Sequence, residues 1–187
     1  MIFAVTGSLL RWCVRGVWHG IVLDSRAGGP LSTHAIGIDL IEIDRVAAVL
    51  EKHPERFIQR VFTNAEAAFC RGRVPELAAR FSAKEATMKA LGTGARSVAW
   101  RDIEVLPDRR GKPVLYLYGG ARRRADDIGL DAIDVSLTHL ASFAMAIVVC
   151  TQERLEQDPM EGRARLIARL RERGLMTDDP EGEGARG

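Results

Sequence analysis

The chain has 187 residues, long enough for one hydrophobic core and short for two, and an apolar fraction of 47% supports a packed globule. With 27 basic against 25 acidic side chains the net charge is only +2, which leaves no global electrostatic case for nucleic acid as the partner. The three cysteines, Cys13, Cys70 and Cys150, are widely spaced and lack any C-x-x-C pairing, which excludes an obvious disulfide framework or zinc site and favours reduced thiols in the cytoplasm.

Residues 1–33 show no sustained period and contain the loop-forming run Ser25-Arg-Ala-Gly-Gly-Pro30. A loosely ordered arm, or a start assigned upstream of the true one, is expected there. Its apolar beginning is too short to span a membrane and has no basic region before it, so neither anchoring nor export is expected. Residues 34–152 form the expected single domain. Ala35-Ile-Gly-Ile-Asp-Leu-Ile41 reads as a strand, with Gly37 allowing close backbone approach, and a helix follows through Val46, Val49 and Leu50. Thr63-x-x-Glu66 is a capping box that starts a helix ending near Gly72. A further helix runs from about Pro75 to Leu91, where Gly92-Thr-Gly94 stops it.

Strands are expected from Ala99 to Leu106 and from Val114 to Tyr118, joined by the turn Pro107 to Pro113. A basic helix over Ala121–Ile128 then leads to strands Ala132–Thr138 and Phe143–Val149, with Arg122-Arg-Arg124 as solvated surface. Helices first and hairpin-linked strands afterwards predict an α+β domain, an antiparallel sheet packed against helices. Residues 153–187 read as a polar tail with a short amphipathic helix through Leu166, Ile167 and Leu170.

The chemistry concentrates in Arg80-Phe-Ser-Ala-Lys-Glu-Ala-Thr-Met-Lys89. On a helix Glu85 and Lys89 share a face and Arg80 and Lys84 a neighbouring one, so a carboxylate stands beside several cations. Such a face suits magnesium with phosphates, and equally an ordinary i,i+4 salt bridge on a solvated helix. Asp39 is a lone acid in an apolar run, costly to bury without a partner or metal, unless it sits on the open face of its strand.

Gly37-Ile-Asp39, Ile41-Glu-Ile-Asp-Arg45, Arg56-Phe-Ile-Gln-Arg-Val-Phe62, Arg80-Phe-Ser-Ala-Lys-Glu-Ala86, Lys89-Ala-Leu-Gly-Thr-Gly94, Trp100-Arg-Asp-Ile-Glu-Val105, Gly111-Lys-Pro113 and Val135-Ser-Leu-Thr-His139 together closely resemble the holo-acyl-carrier-protein synthases, the small phosphopantetheinyl transferases. That resemblance implies transfer of phosphopantetheine from coenzyme A to a serine of an acyl carrier protein of fatty-acid or polyketide synthesis. It implies Asp39 and Glu85 as ligands of magnesium, Lys89 neutralising charge on the transferred group or the departing nucleotide, and either Glu85 or a metal-bound water as proton acceptor. Arg80, Lys84, Gly92, Thr93, Gly94 and His139 would contact coenzyme A, Lys89 would share its phosphates, and Arg45, Arg56 and Arg60 would dock the acidic helix of the carrier. A homotrimer with coenzyme A at a subunit interface is implied, with no nucleic-acid or membrane partner. Two other classes stand beside it, a trimeric ligand-binding module without chemistry and a metal-dependent phosphohydrolase acting on nucleotides.

Overall fold

The computed structural model describes residues 32–94, 97–153 and 159–176. The expected arm up to residue 31 and the tail beyond residue 176 lie outside these residues. In chain order the elements are β1 (Ser32–Glu42), α1 (Ile43–Lys52), α2 (Pro54–Val61), α3 (Asn64–Cys70), α4 (Val74–Ala90), β2 (Ile103–Pro107), β3 (Pro113–Leu117), α5 (Gly119–Asp127), β4 (Leu130–His139), β5 (Phe143–Glu153) and α6 (Pro159–Glu172). The chain divides into two compact units after Glu153, and α6 belongs to the second. By itself α6 carries Ile167 and Leu170 half-buried while Leu166 is exposed.

The first unit is α+β. Its main sheet has the order β1-β5-β4 and a second, two-stranded sheet pairs β2 with β3; both are antiparallel. Strand alternation splits β1 into two faces. Gly37 and Ile41 are buried and Asp39 half-buried on the face toward α4, whereas Ile36, Ile38 and Leu40 on the other face are 63%, 53% and 61% exposed. Ala144, Ala146, Val148 and Cys150 of β5 are buried and continue the inner face, and Ile147 and Val149 continue the outer one.

Helix α4 is the centre of the unit, packed on the main sheet on one side and on α3 and β2 on the other. It is buried nearly all round, from Leu77 to Ala90, although it carries Arg80, Lys84 and Glu85. Alanines at 78, 79, 83, 86 and 90 keep it thin enough to fit. The closest approach is at Gly37, where a Cβ would stand 1.8 Å from the carbonyl oxygen of Ala86 and 2.9 Å from the nitrogen of Ala90. Both obstacles are backbone, so no side chain can swing aside. Gly37→Ala should therefore cost about 3 kcal/mol or more, read as a fall in melting temperature of roughly 10 °C or beyond; an unchanged melting temperature would contradict this packing.

Several boundaries differ from expectation for local reasons. Pro54 opens a separate helix after His53, so α1 and α2 are two elements. The strand expected from Ala99 starts only at Ile103, because Trp100–Asp102 form a 3-10 turn in which the Asp102 carboxylate accepts from the Ala99 N–H. The turn places Trp100 on Phe81 with ring centroids 4.6 Å apart, and Phe57 links Phe81 to Phe62. The capping box at α3 is present as expected, with the Thr63 hydroxyl accepting from Glu66 N and Glu66 Oε2 accepting from Thr63 N at 2.8 Å.

Candidate active site

The contact at Gly37 brings one face of α4 against β1. Ser82, a residue not singled out in the sequence, donates its hydroxyl to the carbonyl of Asp39 at 2.8 Å and fixes the other end of that contact. Three and seven residues on, Glu85 and Lys89 share this face. The Lys89 ammonium donates to Asp39 Oδ1 and to the carbonyl of Ile38, both at 2.9 Å. The pair is partly open, with side-chain exposures of 22% for Lys89 and 17% for Asp39. Asp39 thus takes the inward reading of its strand.

Glu85 is 92% buried, being 8% exposed. Burial, and then the Asp39 charge, push its carboxyl from 4.5 up to about 7, with Lys89 pulling the other way. Two carboxylates and one ammonium therefore share a site in which one carboxyl lacks a full counter-charge. Among the described residues no cluster of three or more His, Cys, Asp or Glu side chains is formed. The donor set is two hard carboxylates, which fits magnesium: that ion keeps most of its shell for water and substrate phosphates.

The structure does not bring Arg80 and Lys84 to Asp39. Each step along a helix turns 100°, and Lys84, one residue before Glu85, is carried off the Asp39 face toward α3 and β2. Its side chain is fully buried and its ammonium is 2.8 Å from Glu66 Oε2, with further bonds to the carbonyls of Trp100 and Ile103. Arg80, 4% exposed, donates to the carbonyls of Val105 and Glu76 and to the Glu76 carboxylate, and lies over the Phe69 ring. Both are buried and bonded to protein groups. Glu66, seen in the sequence only as a cap, is the missing partner; the 100° offset of Lys84 from Glu85 is the signal that points to one.

Gly92-Thr-Gly94 ends α4. Gly92 N donates to Lys89 O and Thr93 N to Met88 O, both at 3.1 Å, with Gly92 at φ 68°: a Schellman ending of α4. Those two N–H groups close the helix and are not free to cradle phosphate. Gly94 has φ 57°. Arg124, expected as solvated surface, is half-buried and donates from Nε to the carbonyl of Leu91 at 3.0 Å, adding to the same helix end. His139 is exposed at the end of β4, and the register sets it two strands across and two residues along from Asp39, roughly 10 Å or more away. Arg56 and Arg60 are exposed on α2, and Arg45 is half-buried on α1.

The sequence pattern of the 4'-phosphopantetheinyl transferase superfamily matches residues 35–148, which contain all of this site. The chain is 47% identical over 120 residues to a holo-[acyl-carrier-protein] synthase of Herpetosiphon aurantiacus, covering 60% of this chain and 94% of that protein. Among solved structures, the holo-[acyl-carrier-protein] synthase of Helicobacter pylori in complex with coenzyme A superimposes with a TM-score of 0.57 at 28% identity, over 62% of this chain and 98% of that one. That of Bacillus anthracis, in complex with CoA (3',5'-ADP), gives 0.52 at 36% identity, over 64% and 96%. A pattern match across most of the chain, together with a strand, helix and carboxylate pair in that matched segment, establishes that this chain belongs to the 4'-phosphopantetheinyl transferase superfamily, in its holo-acyl-carrier-protein synthase family.

Proposed function

We propose that this chain transfers the 4'-phosphopantetheine moiety of coenzyme A to a serine of apo-acyl carrier protein, releasing adenosine 3',5'-bisphosphate. The observation that carries the reading is the trio Asp39, Glu85 and Lys89, held across a strand–helix contact with no slack. A module for a neutral ligand has no use for two carboxylates and a lysine on one face. The serine oxygen forms a bond to the β-phosphorus of coenzyme A while its proton passes to Glu85 or to water, the bridging bond from that phosphorus to the α-phosphate oxygen breaks, and charge builds on the departing nucleotide. Lys89, partly exposed beside Asp39, would neutralise that charge. Asp39 and Glu85 would hold magnesium, which when bound supplies a Lewis acid that polarises the phosphates. With an apo-carrier and coenzyme A, chromatography should find adenosine 3',5'-bisphosphate formed one for one with holo-carrier. Inorganic phosphate instead would indicate a phosphohydrolase, and no product at all a binding module.

For the carrier, Arg45, Arg56 and Arg60 are the proposed docking surface, supported by the exposed arginines of α2 beside α1. Arg56→Glu is expected to raise the Michaelis constant for the carrier about tenfold, increasingly so with salt, while that for coenzyme A stays put. An unaltered carrier constant would count against this surface.

For assembly, the proposal is a homotrimer built on the outer sheet face, where Ile36, Ile38, Leu40, Ile147 and Val149 form an apolar surface of a kind that stable monomers rarely leave bare. Light scattering should give three times the chain mass, and a fully active monomer would refute it. Cys70 and Cys150 are free and buried, which suits the cytoplasm as the place of reaction. Among the described residues no helix is long and apolar enough to cross a membrane.

A further inference from the structure

The Lys84–Glu66 ion pair is fully buried, and a buried pair is a poor source of stability: apolar residues of the same volume commonly do as well or better. Its geometry suggests another use. The Lys84 ammonium has three protons and three acceptors, Glu66 Oε2, Trp100 O and Ile103 O. The Glu66 carboxylate also takes the N–H of Thr63 at 2.8 Å and that of Val105 at 3.0 Å. One turn earlier, Arg80 binds the carbonyl of Val105 at 3.2 Å. In an antiparallel strand the backbone groups of residues two apart point to the same edge. Ile103 and Val105 therefore present one edge of β2, and Glu66, Lys84 and Arg80 occupy it where a further strand would otherwise pair.

On the opposite side, α4 rests on Gly37 with no room for so much as a methyl group. The helix is thus held from two directions. Rotation about its axis or sliding along it breaks the Lys84 bonds on one side or collides with β1 on the other. Glu85 follows Lys84 directly, and Lys89 lies one turn beyond Glu85, so the angle and height at which both meet Asp39 are set by where Lys84 is pinned.

We propose that Lys84, through Glu66, is a positioning residue of the transfer reaction, clamping α4 against the edge of β2 so that Glu85 and Lys89 stand at Asp39, and that it does not touch coenzyme A. The inference rests on the transferase reading above and is separable from it, since failure of that reading would show as no transfer by the unaltered protein. The test is the double variant Glu66→Gln, Lys84→Met, which removes both buried charges together at nearly constant volume, assayed as the full chain with carrier and coenzyme A. Misplacing the site by an ångström costs on the order of 100-fold. Expected is a fall in kcat of about 30–100-fold per folded molecule, with the Michaelis constant for coenzyme A within about threefold of the original. Should that variant not fold, Lys84→Arg keeps the charge and its pairing but shifts the donors, and the same split of kcat from KM is expected. A tenfold rise in the coenzyme A constant with kcat intact would make Lys84 a ligand contact and overturn the proposal. So would activity lost only in proportion to unfolded protein, or wild-type kinetics in either folded variant.

Discussion

Glu85→Gln should lower the transfer rate by roughly 10²–10³-fold while leaving the metal-free protein more stable than the original above neutral pH. The two effects share one cause. Burial and the Asp39 charge raise the Glu85 pKa from 4.5 to about 7. Between those values the folded protein binds a proton that the unfolded chain has lost, so stability falls as pH rises from about 4.5 to about 7 and stays low above it. A shift of that size corresponds to about 3 kcal/mol. Below pH 4.5 both states are protonated and the penalty is absent. Glutamine is neutral throughout, so the variant should lose this pH dependence and melt higher in mildly alkaline buffer. Magnesium held by Asp39 and Glu85, as proposed, would relieve the same penalty, which predicts that it raises the melting temperature of the original protein more above pH 7 than below, and that it leaves the variant little changed. A variant that transfers at the original rate, or that melts lower in alkaline buffer, would sink the assignment.

Lys89→Met is expected to lower kcat about 100-fold with little change in the Michaelis constant for coenzyme A, because a charge that meets the departing nucleotide is needed most as the bond breaks. The structure adds a second signature. Lys89 is the group that holds the Glu85 pKa down against burial and Asp39, and it is the observed partner of Asp39. Without it Glu85 binds its proton more tightly, so the acid side of the pH–rate profile should move to higher pH and the magnesium requirement should rise. That shift follows from the Lys89 charge beside Glu85 and Asp39 alone, so the fall in kcat is the outcome that tests its part in bond breaking, and an unchanged kcat would refute it.

Much of this was legible in the residues. Thr63 and Glu66 form the capping box that their spacing announces, and α4 ends where Gly92 permits a left-handed turn. Gly37 beside Asp39 marked a close backbone approach, and its carbonyl neighbour proves to be Ala86. What periodicity could not resolve was which way a buried cation points. Arg80, Lys84, Glu85 and Lys89 fall on neighbouring faces, and in a helix exposed on one side all four would meet the same solvent. Here α4 is enclosed, so the 100° between Lys84 and Glu85 separates a residue bonded to β2 from one facing Asp39. The acceptors that decide this, Glu66 and the carbonyls of Trp100 and Ile103, lie 16 to 19 residues away in the chain, beyond any local pattern. Likewise, the 3-10 turn at Trp100 displaced the start of β2, because the Asp102 carboxylate accepts from the Ala99 N–H and closes a turn there.

The most direct measurement is the intact mass of an apo-acyl carrier protein incubated with coenzyme A, magnesium and this protein, beside the same mixture with Asp39→Asn or Glu85→Gln in its place. The account predicts that, in an incubation just long enough for the original protein to load the carrier, the carrier gains the mass of one phosphopantetheine arm, and that the fraction loaded falls to about a hundredth or less with either variant and with chelator. A carrier of unchanged mass in the presence of the folded original protein, or an equal gain with both variants, would contradict it.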